Sequence, residues 1–94
     1  MTISIAENAA VLAPWATLPS KQQQALLAVD PLKTLRVKNG WLIRGQKFAK
    51  GTIDQLEARR LVVERNIYGR ERLALTEAGR LAAERLEKHR SGRG

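Results

Sequence analysis

Residue types that build cross-linked or reactive sites are absent or scarce in this chain. Its 94 residues include no cysteine and a single histidine, His89. The absence of thiols excludes disulfides, thiolate metal sites and cysteine nucleophiles. The sequence also has no paired carboxylates, glycine-rich phosphate loop or metal-ligand spacing. We therefore expect a protein that is not an enzyme and that uses no metal or cofactor.

Long hydrophobic runs are missing as well. The longest loosely apolar stretch, from Ile3 to Leu18, is interrupted by Glu7, Asn8 and Pro14. It is shorter than the ~20 apolar residues that span a bilayer. No basic region precedes it, so it is a poor signal peptide. We therefore expect no membrane partner.

Acidic residues are few compared with basic ones. The chain has 17 lysines and arginines against 9 aspartates and glutamates, which gives a net charge of +8. Residues 33–94 carry all of the excess, with 16 bases and 7 acids, and no acid occurs between Asp30 and Asp54. This imbalance indicates a polyanionic partner. A basic surface that only keeps the protein in solution is the alternative.

The overall composition is that of one folded domain. Hydrophobic residues make up 44% of the chain and charged residues 28%, as in ordinary globular proteins, and the length suits a single domain. We predict an apolar amino-terminal arm or short helix at residues 1–17, a folded domain at residues 18–90 and a flexible basic tail at residues 91–94.

The folded domain is predicted to begin with a helix. Ser20 and Gln23 have the spacing of a capping box, with Ser20 as the N-cap. This pattern predicts a helix over residues 21–29. Pro31 follows, and because the residue before a proline avoids helical geometry, the helix should end there.

A β-hairpin is predicted next. Asn39-Gly40 lies between alternating apolar residues, and this is the strongest short signal of a hairpin, because both central residues of a type I′ turn need a positive φ. The alternating residues are Leu35, Val37, Trp41 and Ile43. We assign Trp41 and Phe48 to the core rather than to stacking platforms for single-stranded nucleic acid.

The second half is predicted to contain a helix, a hairpin and a final helix. From Gln46 the apolar period becomes helical, which predicts a helix that starts between Gln46 and Gly51 and ends near Arg59. Strands follow at residues 61–63 and around Leu73 and Leu75, joined by a polar tip. Thr76 then caps the last helix. The residues assigned to the core are Leu56, Leu61, Leu73, Leu75 and Leu81.

These segments together resemble a known family. The chain reads Thr52-Ile53-Asp54-Gln55-Leu56-Glu57-Ala58-Arg59-Arg60-Leu61-Val62 and, after a basic hairpin, Leu75-Thr76-Glu77-Ala78-Gly79-Arg80. Over about residues 50–86 this combination resembles the recognition helix, wing and following helix of MarR-type winged helix-turn-helix proteins. The resemblance implies a small α+β winged-helix domain with about three helices and with β-hairpins, one of which forms the wing.

The chain departs from the family pattern at two places. Arg60 stands where the family usually has a glycine at the end of the recognition helix. A left-handed residue other than glycine costs about 1 to 2 kcal/mol there, so we expect the helix to end differently. Residues 33–45 resemble a hairpin, whereas the family has a helix before the recognition helix.

The resemblance implies a double-stranded DNA-binding protein, most simply a prokaryotic or phage transcriptional regulator located on the nucleoid in the cytoplasm. A short helix docked on a small sheet can present its outer face to the major groove. On that face Gln55 can bond an adenine edge, and Gly51 lets the backbone approach a phosphate. Phosphates repel Asp54 unless it accepts from the amino group of cytosine or pairs with a neighbouring basic residue.

The residues expected to contact DNA fall into three groups. The predicted recognition helix contributes Gly51, Thr52, Gln55 and Arg59. Basic residues before and at its start are Lys38, Arg44, Lys47 and Lys50, of which Lys47 and Lys50 are better suited to phosphate than to bases. The wing contributes Arg65, Asn66, Tyr68, Arg70 and Arg72. For the wing, an edge hairpin that carries charge against aggregation is the alternative.

Two other functions and a dimer are left open by the sequence. The domain can be a protein-interaction module that docks an acidic partner, or an RNA-binding domain that uses the basic hairpin from Lys33 to Arg44. If a homodimer forms, we expect the amino-terminal arm to make it. The apolar residues of the arm that the domain itself is not expected to need are Ile3, Ile5, Val11, Leu12 and Trp15.

Overall fold

The computed structural model describes residues 8–91. The helices in this range are α1 (Ala9–Leu12), α2 (Pro14–Thr17), α3 (Ser20–Ala28), α4 (Lys50–Ala58) and α5 (Glu77–Ser91), with a 3-10 turn at Pro31–Lys33. Strands β1 (Thr34–Val37), β2 (Gly40–Ile43) and β3 (Gln46–Ala49) form one antiparallel sheet, and β4 (Val62–Ile67) and β5 (Arg70–Leu75) form another. The predicted α+β class is therefore confirmed. No helix in this range is long and apolar enough to cross a bilayer.

The first two helical turns pack onto the domain. Val11 of α1 is buried, and the Arg85 guanidinium of α5 donates to the Val11 carbonyl at 3.1 Å. Val11 therefore contributes to the core, and its prediction as a spare apolar residue is wrong. The other members of that set are Leu12 and Trp15, which are exposed, and Ile3 and Ile5, which lie outside the described residues. At the other end, Ser91 still belongs to α5, and the rest of the predicted tail is not described.

Helix α3 confirms the predicted first helix, but its predicted cap is wrong. The helix begins at Ser20, and Pro19 occupies the N-cap position without a side-chain hydrogen bond. The predicted box cannot form because Ser20 is itself part of the helix, and Pro19 at the N-cap has neither a side-chain acceptor nor an N–H. The Gln23 amide instead donates to the Leu18 carbonyl at 2.7 Å, which fastens α3 to the segment before it.

A three-stranded sheet forms where a single hairpin was predicted. Val37 pairs with Gly40, so the first turn is Lys38-Asn39, and only Asn39 has a positive φ there, 62°. The type I′ pattern, with positive φ at both central residues, occurs instead at Arg44-Gly45, where φ is 51° and 83°. The predicted type I′ turn at Asn39-Gly40 is therefore wrong.

Gly40 is required by strand packing rather than by the turn. A Cβ at this position would overlap the Phe48 carbonyl oxygen of the neighbouring strand. Phe48 itself pairs with Trp41, and both rings are buried, as predicted. This pairing extends residues 46–49 as β3, although their apolar spacing also suits a helix. Helix α4 consequently begins at Lys50, within the predicted interval.

The end of α4 keeps a glycine-type geometry although Arg60 is not glycine. Arg60 has a φ of 62°. Its N–H donates to the Glu57 carbonyl at 2.9 Å, and the Leu61 N–H donates to the Leu56 carbonyl at 3.0 Å. These are the two hydrogen bonds of a Schellman motif. The expectation of a different ending is wrong, because the Thr76 hydroxyl also donates to the Arg60 carbonyl and holds the left-handed residue in place.

The segment from β4 to α5 has the predicted order of hairpin and helix. The hairpin turns at Tyr68-Gly69, again with positive φ at both residues, and its ladder extends to that turn, so the strands are longer than predicted. Thr76 caps α5 as predicted, because its hydroxyl accepts from the Gly79 N–H at 3.0 Å. A Cβ at Gly79 would overlap the Leu61 carbonyl oxygen. The first turn of α5 therefore packs directly against the backbone of Leu61, the residue before β4.

One hydrophobic core connects the helices with both sheets. Of the predicted core leucines, Leu56, Leu61 and Leu73 are fully buried, and Leu75 and Leu81 are partly buried against them. Thr34, only 1% exposed, joins the two sheets: its hydroxyl accepts from the Leu73 N–H at 3.2 Å. The β4–β5 hairpin is thereby anchored at its base to the edge strand of the first sheet.

Candidate nucleic-acid interface

Helix α4 leaves one stripe of its surface uncovered. Ile53 and Leu56 face the core, and Thr52 is half-buried. The exposed residues follow the spacing of one helical face. They are Gly51, Asp54, Gln55 and Ala58. The outer face predicted for this helix is therefore the exposed one.

The first turn of α4 lies beside the turn between β1 and β2. The Lys50 N–H donates to the Asn39 carbonyl at 3.0 Å, which brings the Lys38-Asn39 turn next to the helix start. The Lys50 ammonium lies 3.0 Å from the Asp54 carboxylate, and both side chains are exposed. An exposed pair of this spacing is worth only about 0.3 to 0.5 kcal/mol. Lys50 can therefore exchange Asp54 for a phosphate at little cost.

Gly51 has no packing role within the described part of the chain. A Cβ at this position would meet no atom within 4 Å. A glycine in a helix is less stable than alanine by up to about 1 kcal/mol, so the fold alone favours alanine here. A glycine leaves the helix backbone open to close approach by a ligand, and an anion is favoured at a helix amino terminus.

The β4–β5 hairpin has one basic face and one acidic face in its outer half. Residues that pair across an antiparallel ladder point to the same face. The register therefore places the basic residues Arg65, Arg70 and Arg72 together, with Ile67 among them. On the opposite face it places Glu64, Asn66 and Glu71. The predicted wing cations are thus gathered on one side.

Arg36 of β1 binds the acidic face. Its guanidinium lies 3.0 Å from the Glu64 carboxylate and 2.8 Å from the Glu71 carboxylate, and it sits 5.8 Å from the centre of the Trp41 ring. One cation therefore holds both strands of the hairpin. This contact fixes the outer half of the hairpin against the first sheet.

A cleft of about 330 Å³ lies between α4, the β1–β2 hairpin and Glu64 of β4. Its charged lining includes Arg36, Lys50, Asp54, Glu57 and Glu64. Burial raises the pKa of Glu57, and the negative charges of Glu64 and Asp54 raise it further. Acids outnumber bases in this lining, so phosphates are expected at the rim of the cleft rather than inside it.

The tip of the hairpin consists of Tyr68 and Gly69. The Asn66 carboxamide oxygen accepts from the Gly69 N–H at 3.0 Å, which closes the turn. The Tyr68 side chain is fully exposed, and Arg70 follows directly after the turn. Asn66 therefore has a structural role at the tip, whereas Tyr68 and Arg70 project into solvent.

Two of the predicted DNA contacts are engaged elsewhere in the fold, and a third is partly buried. Arg44 lies at the end of the first sheet opposite Lys38, and its Nε donates to the Ala28 carbonyl at 2.9 Å. Arg59 is half-buried behind the α4 stripe, with a buried Nε. The Arg72 guanidinium donates to the Thr34 carbonyl. Arg44 is exposed but held by its contact with the Ala28 carbonyl. The exposed cations of the predicted set whose side chains have no described hydrogen bond to the backbone are Lys38, Lys47, Lys50, Arg65 and Arg70.

Sequence reasoning missed the role of Arg36. Its two carboxylate partners lie 28 and 35 positions further along the chain. Sequence patterns relate residues only a few positions apart. In the sequence, Arg36 is therefore no more than a polar residue in a strand of alternating character. The partners can be identified only once the hairpin register and the position of β1 are known.

The chain was compared with known families, curated proteins and solved structures. No family model, curated protein or solved structure matches it. The resemblance to MarR-type proteins consequently rests on the two sequence segments that carry it.

Proposed function

We propose that this protein binds double-stranded DNA through α4 and the β4–β5 hairpin, as a small winged-helix regulator of transcription that acts on the nucleoid of a prokaryote or phage. The observation that carries the proposal is the uncovered stripe of α4. This short helix is fastened at its start by Asn39 and at its end by the motif around Arg60. A rigid helix with one open face suits the width of the major groove.

The distribution of charge supports the proposal. Within residues 8–91, no acidic side chain lies within 4.0 Å of the ammonium or guanidinium groups of Lys38, Lys47, Arg65 or Arg70. Cations without a local partner gain most from phosphates, because each contact releases a counterion from the DNA. These residues position the domain on the backbone and do not select a sequence.

Sequence reading is assigned to the α4 stripe. Gln55 lies in its middle and can form two hydrogen bonds with an adenine edge. Asp54 can accept from the amino group of cytosine once Lys50 turns to a phosphate. The backbone at Gly51 is the point where α4 comes closest to the DNA. The hairpin then reaches the flanking backbone or minor groove with its tip.

Selection of bound duplexes from a random library tests the proposal. We expect the protein to enrich duplexes, and Gln55→Ala to relax the preference at one position of the enriched sequence. Gln24→Ala, which removes an exposed glutamine from α3, is the matched control and should leave the selection unchanged. Failure to retain any duplex, or retention of single-stranded RNA alone, would overturn the proposal.

A protein-docking function is the second candidate, favoured by one observation. Leu32 and Leu35 are 79% and 51% exposed, and the register places Leu35 on the same face of the first sheet as Leu42 and Lys47. An acidic partner with an apolar segment would suit this face. Binding of such a partner should depend on salt less steeply than DNA binding, because salt does not screen its apolar contacts.

A further inference from the structure

Tyr68 occupies a backbone position that does not suit it. It is the first central residue of a type I′ turn, with a φ of 52°, and its side chain is 101% exposed. Asparagine, aspartate and glycine are the residues that favour this position. A bulky side chain at positive φ is a strained exception, and here no burial of the ring offsets the strain.

The other non-glycine residues with positive φ have a contact that accounts for them. The Asn39 carbonyl accepts from the Lys50 N–H, the Arg44 side chain donates to the Ala28 carbonyl, and the Arg60 carbonyl accepts from the Thr76 hydroxyl. Tyr68 has no such contact within residues 8–91. Strain that the fold does not use points to a function at that residue.

The Tyr68 ring is also held at the end of a rigid support. The Asn66 side chain closes the turn beneath it, and the ladder continues without interruption from Ile67 and Arg70 to the base of the hairpin. Arg36 fixes the outer half of that hairpin through Glu64 and Glu71. The ring therefore projects from a defined place on the domain.

We propose that Tyr68 is an aromatic wedge that stacks against a base step in the minor groove and bends the duplex. The proposal rests on the DNA-binding function proposed above. The π-face of a base accepts an aromatic ring whatever the sequence, and a side chain inserted between base pairs kinks the duplex towards the major groove. Arg70, next in the chain after the turn, is placed to meet the phosphates beside the opened step.

Opening a base step is easiest where stacking is weakest. Pyrimidine–purine steps such as TpA unstack and kink most readily. A wedge at the hairpin tip would therefore favour sites with a TpA step at a fixed distance from the sequence read by α4. This preference arises from deformability and needs no hydrogen bond from Tyr68 to a base.

The test uses a duplex of about 25 base pairs with 2-aminopurine at its TpA steps and a fluorophore pair at its ends. The full chain and Tyr68→Phe should raise the 2-aminopurine fluorescence and shorten the distance between the ends. Tyr68→Asn removes the ring but suits the turn. It should melt no lower than the parent, bind about tenfold more weakly and cause neither change.

The outcomes separate this inference from the DNA-binding function itself. If Tyr68→Asn binds and bends the duplex as the parent does, the wedge is wrong while DNA binding stands. If the parent binds without raising the fluorescence or shortening the distance, the wedge is likewise wrong. If the parent does not bind duplex DNA at all, both proposals fail.

Discussion

Arg65 and Arg72 lie directly opposite each other in the β4–β5 ladder, although both carry a positive charge. Like charges at paired positions destabilise a hairpin. The Arg72 guanidinium is turned to the Thr34 carbonyl, and no described acid pairs with Arg65. The arrangement favours an external anion at this face of the hairpin.

Arg65→Glu should therefore separate stability from binding. The variant places opposite charges at a paired position, so the free energy of unfolding should rise by about 0.2 to 1 kcal/mol. Its affinity for duplex DNA should fall, because a phosphate contact becomes a repulsion. Thermal melts and duplex titrations measure the two effects. Lys21→Glu, an equal charge change on exposed α3, is the control. A variant that binds as tightly as the parent would remove Arg65 from the interface.

Gly79→Ala should be strongly destabilising. The added methyl group would overlap the Leu61 carbonyl oxygen, and a backbone atom cannot move aside as a flexible side chain can. We expect the free energy of unfolding to fall by about 3 kcal/mol or more. Chemical denaturation measures the change. An unaltered midpoint would show that α5 does not pack against the backbone at Leu61.

Gly51→Ala is the same substitution in the first turn of α4, and its effect should have the opposite sign. No described atom lies near the added methyl group, and alanine favours the helix, so stability should rise by up to about 1 kcal/mol. Duplex affinity should fall because the methyl group holds the backbone away from its ligand. A variant that is more stable and binds equally well would show that DNA does not approach this turn closely.

Glu57 gives the domain a dependence on pH. Folding raises its pKa above the ordinary value of 4.5, chiefly through burial. A group with a raised pKa stabilises the folded state when protonated, and this contribution is lost as the pH rises through the folded pKa. Glu57→Gln remains neutral, so it should be more stable than the parent at neutral pH.

The difference between Glu57→Gln and the parent should disappear as the pH falls below 4.5. Denaturant unfolding at a series of pH values measures it. Glu87→Gln, at an exposed position of α5, should show no comparable gain at neutral pH. An equal gain in both variants would mean that general charge, and not the environment of the cleft, is responsible.

The second half of the fold could be predicted because its signals are local. The apolar period of α4, the cap at Thr76 and the alternation in β5 each lie within a few residues. The resemblance of the segment from Leu75 to Arg80 also predicts the order of these elements along the chain. Arg60 is the exception, because the sequence predicts a different ending there. Its N–H donates to the Glu57 carbonyl as a glycine would, and the distant Thr76 hydroxyl holds it in place.

The first sheet could not be predicted correctly because long-range contacts decide it. Asn39-Gly40 has the composition of a type I′ turn, but its glycine is used to clear the Phe48 carbonyl oxygen. The I′ turn falls on Arg44-Gly45, where the arginine side chain is held by the end of α3. Phe48 fits a helical period and a strand equally well until Trp41 is placed beside it.

The candidate interface could be predicted only in part, for the same reason. The exposed stripe of α4 follows from helical spacing alone. The division of the hairpin into basic and acidic faces requires the ladder register, and its consequence depends on Arg36. Arg44, Arg59 and Arg72 were predicted to contact DNA because they are basic and lie near the helix and hairpin. Their charge does not show whether the side chain is buried or bound within the fold.

The salt dependence of binding to a mixed-sequence duplex tests DNA binding most directly. Lys38, Lys47, Lys50, Arg65 and Arg70 are the exposed cations that the proposal assigns to phosphate contacts. Each contact contributes about 0.9 to the slope of log affinity against log salt, so between about 50 and 200 mM salt the slope should be about −4 to −5. Arg70→Ala should reduce it by about one contact. A slope indistinguishable from zero would contradict DNA as the partner.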